Sequence, residues 1–314
     1  MGSMWNKTKG GAQAGGRPPA AIEITPEGVL AAARPSVRGR GGAAETGQTA
    51  VYAYVPFAAG ALVPGIEEPN LRQPEAVSEA IRSALDQVAP RKRAVTVVLP
   101  DPLVRIFVLD FDSLPAKTAD AVSVVRFRLR KMVPFEVEHA GVSFQVLSQT
   151  ETECKVLVAV IPGPVLEEYE AAVRAAGYEP GAVLPSSLAA LETLDSMEAA
   201  FAANLGARSI TTSIANGQDL LLYRTLDLPE DPGQRIGEVQ RSIAVAAAYF
   251  EDKLGARPRR LYYAGVQNLA EFAQSIPDPE LSVVDWVARP EEGAMTALPQ
   301  TSFAGVAGAL AGAS

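Results

Sequence analysis

Histidine and cysteine each occur once in the 314 residues, as His139 and Cys154, and Phe, Tyr and Trp together make up only 6% of the chain. A single Cys excludes an internal disulfide and a thiolate zinc cage, and it fits a reducing compartment. Cys154 lies beside Lys155 at a strand start; a lowered thiol pKa is one reading, a small strand residue the plainer one. A single His removes paired-His metal sites and leaves a His-based triad without support; following Glu136 and Glu138, His139 reads as a loop residue. No Gly-Lys-Ser/Thr phosphate loop and no Gly-x-Ser-x-Gly elbow occurs. A surplus of positive charge is also missing: 28 Lys and Arg against 36 Asp and Glu give −8, which argues against a nucleic-acid partner. No stretch reaches the ~20 apolar residues of a membrane span. The nearest, FAGVAGALAGA at 303–313, is short, rich in small residues, and reads as a buried helix. The first residues contain no apolar signal core, so the expected location is the cytoplasm.

What is present is a globular composition, 48% hydrophobic and 20% charged, with length enough for two lobes. Residues 1–19, rich in Gly, Lys and Pro, read as a disordered tail. AAIEIT and VLAAAR around Pro-Glu-Gly predict a β-hairpin over 20–33. VRGRGGAAETGQ (37–48) reads as a flexible loop, with an RNA-binding Arg-Gly segment as the alternative, and TAVYAYVPF as a third strand. Pro74 opens a helix over 74–88 with Val77, Ile81, Leu85 and Val88 on one face. Strands at 94–100 and 104–111, a helix over 116–132, two strands around TETE and a helix from Pro164 to Gly177 predict an inserted α+β unit over 94–178. Next comes a strand, then a helix to about residue 203. Asn216-Gly217 between β-rich runs predicts a second hairpin over 208–226, followed by a helix over 234–254 and a strand over 258–266. The two hairpins read as the openings of two similar lobes.

Four stretches carry a family resemblance: VVLPDPLVRIFVLDFDSLP, VRFRLRKMVPFEVEHAGVSFQVL, KVLVAVIPGPVLEEYEAAVRAAGYEPGAVLPSSLAAL, and EVQRSIAVAAAYFEDKLGARPRRLYYAGV with the closing FAGVAGALAG. In order and spacing they resemble the PilM family of type IV pilus assembly proteins and, more distantly, the cell-division protein FtsA, over roughly residues 20–312. The resemblance implies an α/β, actin-like (ribonuclease H-like) two-lobed fold with an inserted small α+β subdomain. The lobes would comprise 20–93 with 179–203, and 204–314, the last helix (302–312) returning to the first lobe. It further implies a cytoplasmic scaffold, peripheral to the inner membrane, whose groove between first lobe and subdomain takes the cytoplasmic peptide of a PilN-like membrane-anchored partner, with self-association a further option. Within that groove the residues to probe are Arg105, Arg130, Pro134 and Phe135. From the residues alone, Arg126, Arg128, Arg130 and Lys131 read as a solvated helix face and Phe135 as core, while Pro134 biases Val133 out of the helix.

The same resemblance implies a nucleotide site at two turns of Asp-x-Gly pattern, and there the sequence departs from it. In EITPEGV, Glu23 stands at the Asp position and Thr25 at the Gly position; Pro26 has no N–H to donate, and Glu27 would oppose a polyphosphate. In SIANGQ, Ser213 and Ala215 take the corresponding places. YYAGV keeps one glycine, Gly265, of the pair expected near an adenosine. The expectation is therefore a non-catalytic pseudo-ATPase without bound ATP, magnesium or other metal. An ATP-binding actin-like ATPase is the alternative, as is a cytoplasmic domain related to type II secretion, against which the lack of a tethering transmembrane helix counts.

Overall fold

The computed structural model describes residues 5–6, 17–34, 50–67, 69–89, 93–194, 197–217, 219–288 and 302–313. Along the chain come β1 (Trp5–Asn6), β2 (Ala20–Thr25), β3 (Gly28–Ala33), β4 (Val51–Pro56), α1 (Pro74–Val88), β5 (Ala94–Leu99), a 3-10 turn (Asp101–Leu103) and β6 (Arg105–Phe111). Then follow α2 (Thr118–Leu129), β7 (Gly141–Gln149), β8 (Cys154–Ile161), α3 (Gly163–Ala175), β9 (Glu179–Pro185), α4 (Ser186–Ala190), β10 (Ala199–Leu205), β11 (Ser209–Asn216) and β12 (Asp219–Asp227). The chain closes with α5 (Pro232–Leu254), β13 (Arg260–Gly265), α6 (Leu269–Ser275), β14 (Ser282–Asp285) and α7 (Ala304–Ala311). The 37–48 loop lies outside the described residues.

Two sheets repeat one plan. In the first, ordered β1-β9-β5-β2-β3-β4, the antiparallel meander β2–β3–β4 is extended by β5 and β9, each parallel to its inner neighbour. In the second, ordered β12-β11-β10-β13-β14, the meander β10–β11–β12 is extended by the parallel strands β13 and β14. Parallel neighbours need crossovers, which α1, α5 and α6 supply; the crossover from β5 to β9 contains the third sheet, β6-β8-β7, and α3.

Several sequence boundaries move. β5 is a central strand of the first sheet, buried at every position after Ala94, as a parallel strand covered on both faces must be. α3 packs on α1 and β9. The inserted unit therefore shrinks from 94–178 to 105–161. Residues 199–203, expected to end a helix, open β10, so the second lobe begins near 199 rather than 204. Alanine favours helix locally, but here it gives a thin strand that fits between β11 and β13. Part of the expected tail is ordered: Trp5–Asn6 pairs antiparallel with β9 along an otherwise open sheet edge. α2 stops at Leu129, ahead of Val133 and Pro134, so the proline does not end it; the loop beyond folds back, its Val137 and Glu138 carbonyls accepting from the Arg126 guanidinium.

The closing helix α7 lies on the first lobe, against α4, β2, β3 and β5. Its glycines permit this. A Cβ on Gly308 would overlap the backbone carbonyl of Ala189, an atom that cannot rotate aside. Gly308→Val should therefore destabilise the protein by about 2–3 kcal/mol, a fall of roughly 5–10 °C in melting temperature measurable by calorimetry. Gly237→Val, at an α5 position where a Cβ meets nothing within 4 Å, should lack that overlap penalty.

Candidate functional site

The first strand of each meander, β2 and β10, ends at the cleft between the lobes, where a cavity of about 240 Å³ opens. From the first lobe come Glu23, Thr25, Pro26 and Glu27 at the β2–β3 turn, and Asp101 after β5; from the second come Asn204 to Ser209 at the β10–β11 turn, and Gly265 at the end of β13. The two turns occupy equivalent places: Glu23 pairs with Val98 of β5 as Asn204 pairs with Ala264 of β13. The counterpart of Glu23-Ile24-Thr25 is thus Asn204-Leu205-Gly206.

This corrects the second turn read from the sequence. Ser213 is fully buried within β11, and Ala215 pairs with Ala200 near the far end of β10, about 20 Å from the cleft at the rise of a strand. The misplacement followed from reading 199–203 as helix, which shifted the lobe by one strand. The signal that could have found the turn is Asn204-Leu205-Gly206 itself, closer to Asp-x-Gly than Ser213-Ile214-Ala215. Gly265 does line the cavity; a Cβ there would meet the Leu205 carbonyl at 2.7 Å. The N–H of the next residue, Val266, donates to the Leu205 carbonyl at 2.9 Å.

Behind the cavity a buried polar network joins the lobes. The Ser186 hydroxyl donates to Glu23 Oε1 at 2.6 Å, and the Val306 N–H of α7 donates to Oε2 at 3.0 Å. Asp101 accepts from the Ser187 N–H at 2.9 Å, from the Ser187 hydroxyl, and, across the lobe boundary, from the Tyr223 hydroxyl at 2.8 Å and Asn204 Nδ2 at 3.3 Å. Asn204 Nδ2 also reaches Ser186 Oγ at 3.2 Å. Burial raises the Glu23 carboxyl to about pH 7, against the Ser186 and Val306 hydrogen bonds. Burial likewise pushes Asp101 up, opposed by its Ser187 and Tyr223 donors, and pushes Tyr223 well above its ordinary value.

These residues do not fit a magnesium–triphosphate. At the first turn Pro26 has no N–H, and the Glu27 N–H is directed to Thr25 Oγ at 3.3 Å. At the second, the Gly206 N–H is bonded to the Ser209 carbonyl at 2.8 Å. Glu23 is 5% exposed, with Gly305 of α7 packed directly on its carboxyl, leaving no room for a metal's waters. The cavity is also smaller than the ~300–1,000 Å³ common for sites of drug-sized ligands. Among the described residues no group of three His, Cys, Asp or Glu could hold a metal.

The four residues chosen for partner docking fall in the inserted subdomain. Its sheet has two faces: Ile106, Leu157, Ala159 and Ile161 join the apolar cluster of the first lobe, whereas Leu109, Val156, Val158 and Val160 pack under α2. Phe135 is half-buried against the α2 side. Arg105 donates to the Pro102 carbonyl at 2.9 Å, and Arg130 pairs with Glu138 at 2.9 Å beside the exposed Pro134. The structure does not gather them on the face turned to the first lobe. That face carries instead a half-buried row, Val108, Gln145 and Leu147, in which Gln145 Oε1 is buried with no hydrogen-bond partner among the described residues.

No protein-family profile matches the chain, and no curated protein matches its sequence. Solved structures do. A chain of a PilM–PilN type IV pilus biogenesis complex superposes with a TM-score of 0.66 at 18% identity, over 94% of this chain and 96% of that one. The cytoplasmic domain of EpsL, an inner-membrane component of the Vibrio cholerae type II secretion system, gives 0.48 at 15% identity over 88% and 90%. A Bacteroides thetaiotaomicron protein of actin-like ATPase fold and unknown function gives 0.47 at 8% over 84% and 90%. The fold is PilM-like, two-lobed and actin-like. Among the described residues no helix is long and apolar enough to cross a membrane.

The network makes a pH prediction. Glu23 titrates near 7 in the folded state against 4.5 for an ordinary carboxyl, so the folded state binds the proton more tightly. Its contribution is fully present below about pH 4.5 and is lost as pH rises towards 7, by on the order of 3 kcal/mol. Glu23→Gln should flatten that part of the stability profile; an unchanged slope in urea titrations at pH 5 and pH 7.5 would contradict the assignment. Tyr223→Phe removes one donor to a buried carboxylate and should cost about 1.5–3 kcal/mol.

Proposed function

We propose that the protein is a non-catalytic, actin-like scaffold of a type IV pilus or related secretion platform, cytoplasmic and held at the inner membrane by a membrane-anchored partner. What carries this reading is the cleft: the buried Glu23–Ser186 and Asp101–Tyr223 contacts stand where the fold's nucleotide chemistry would require open amides and a solvated carboxylate. The likeness in fold to a chain of a PilM–PilN complex supports the choice of machine. The lobes are then fixed by side chains rather than set by a nucleotide, as suits a part whose task is to hold a partner in place.

The partner's contribution, on this reading, is a short cytoplasmic peptide of a PilN-like protein, lying between the first lobe and the inserted subdomain. Gln145 Oε1, buried and lacking a donor among the described residues, is the acceptor such a peptide's N–H would satisfy, and Val108 and Leu147 supply apolar contact beside it. Fluorescence anisotropy with a labelled partner peptide tests this. Gln145→Ala should weaken binding by about five- to tenfold, the loss of one hydrogen bond, without lowering the melting temperature. Phe135→Asp should instead lower the melting temperature, since it places a charge in the subdomain core. Binding that is indifferent to both Gln145→Ala and Leu147→Ala would overturn the docking site.

The second reading, an ATP-binding relative, rests on Gly206 and Gly265 at the cavity. Each lost phosphate-directed hydrogen bond costs about 1.5–3 kcal/mol, so two carry a micromolar site to roughly millimolar. Calorimetric titration with Mg-ATP should show no low-micromolar binding. A low-micromolar dissociation constant would overturn the scaffold reading in favour of the ATPase.

A further inference from the structure

The outer face of α2 has no role in the cleft or in the row around Gln145. Phe127 on this helix is 72% exposed, the one aromatic among the exposed large apolar side chains of the described residues. Val124, one turn earlier, and Met132, just past the helix end, are each 38% exposed. At 100° per residue, Val124, Phe127 and Arg128 fall within an arc of about 100°, while Ala121, Val125 and Leu129 are buried against the sheet. Arg128 and Lys131 are exposed and have no ion pair among the described residues. Arg130, the paired one, stands 5.8 Å from the Phe127 ring centre. From Lys117 to Glu138 five cations meet three carboxylates, Asp120, Glu136 and Glu138, in a chain of net charge −8, and Glu138 is held by Arg130.

We propose that this face of α2 is a contact site for an anionic phospholipid surface, with Phe127 entering the boundary between headgroups and acyl chains and Arg128 and Lys131 meeting the phosphates. An aromatic ring among cations on the convex side of a short helix suits a bilayer interface, where apolar insertion and electrostatic attraction add. A peptide partner would need a concave seat, and the cavities at the cleft, on α5 and along β13 are lined by other elements. The patch is small, so it serves as a second attachment beside another tether, in keeping with the two signals that stable membrane anchoring requires. The proposal needs only lipid and does not rest on the partner-peptide reading.

Co-sedimentation of the full chain with millimolar vesicles tests it without any partner protein. Vesicles of phosphatidylcholine containing about 30% phosphatidylglycerol should pellet the protein at low salt and release it as ionic strength rises, whereas pure phosphatidylcholine should not. Phe127→Ser should reduce the bound fraction several-fold, and Arg128→Glu with Lys131→Glu by roughly tenfold or more. These positions are exposed, so the melting temperatures should stay within about 2 °C of the parent. Absence of pelleting, equal pelleting on neutral vesicles, or parent-like pelleting of the Phe127→Ser protein would each overturn the proposal. Binding of an acidic peptide to this face without any vesicle binding would overturn it too, assigning the patch to a protein partner.

Discussion

Two carboxyl groups taken out of water set the conditions for the rest of this molecule. Glu23 and Asp101 are each 5% exposed, and a buried charge without partners would cost several kcal/mol. The sequence meets that demand from distant places: Ser186 and Ser187 at the start of α4, the Val306 amide of α7, and Tyr223 and Asn204 from the second lobe. Each partner brings a segment with it. The last helix is drawn onto the first lobe, α4 is pinned beneath β2 and β5, and β10 and β12 are held against the chain that leaves β5. The same hydrogen bonds that satisfy the carboxyls therefore fix the relative position of the lobes.

That arrangement also sets the chemistry of the cleft. In an actin-like fold the opposed turns of the two sheets are suited to anion binding because their backbone amides converge on one space. Here the amides are absent, as at Pro26, or satisfied internally, as at Glu27 and Gly206, and the acidic side chain is sealed under α7. Hydrogen bonds cross the lobe boundary there, beside the Glu23 carboxyl that burial raises to about 7.

The inserted subdomain divides its labour by face. One side of its sheet merges with the core of the first lobe, and the other packs under α2, so the subdomain is fixed to the body while the far side of α2 faces water. A partner peptide beside Gln145 and a lipid surface at Phe127 would then be met by opposite sides of one three-stranded sheet.

Fold class and most elements were legible in the chain before any contact was known. The hairpin around Pro26-Glu27, the Asn216-Gly217 turn, α1 and α5 follow from apolar periodicity and turn residues, which act over a few positions. The position of Pro26 and Glu27 at the β2–β3 turn was equally legible, because both are turn residues. Neither the membership of β5 in the first sheet nor the strand at 199–205 could be read in the same way. Both depend on neighbours from elsewhere in the chain: β5 becomes central only when β2 and β9 flank it, and an alanine-rich segment with helical preference becomes a strand only between β11 and β13. The contacts of Asp101 and Tyr223 come from the tertiary structure alone, whereas the second turn is written in Asn204-Leu205-Gly206 but stands out only once 199–205 is a strand. Hydrogen bonds between residues over a hundred positions apart follow from how two sheets meet, and local pattern carries no record of that meeting.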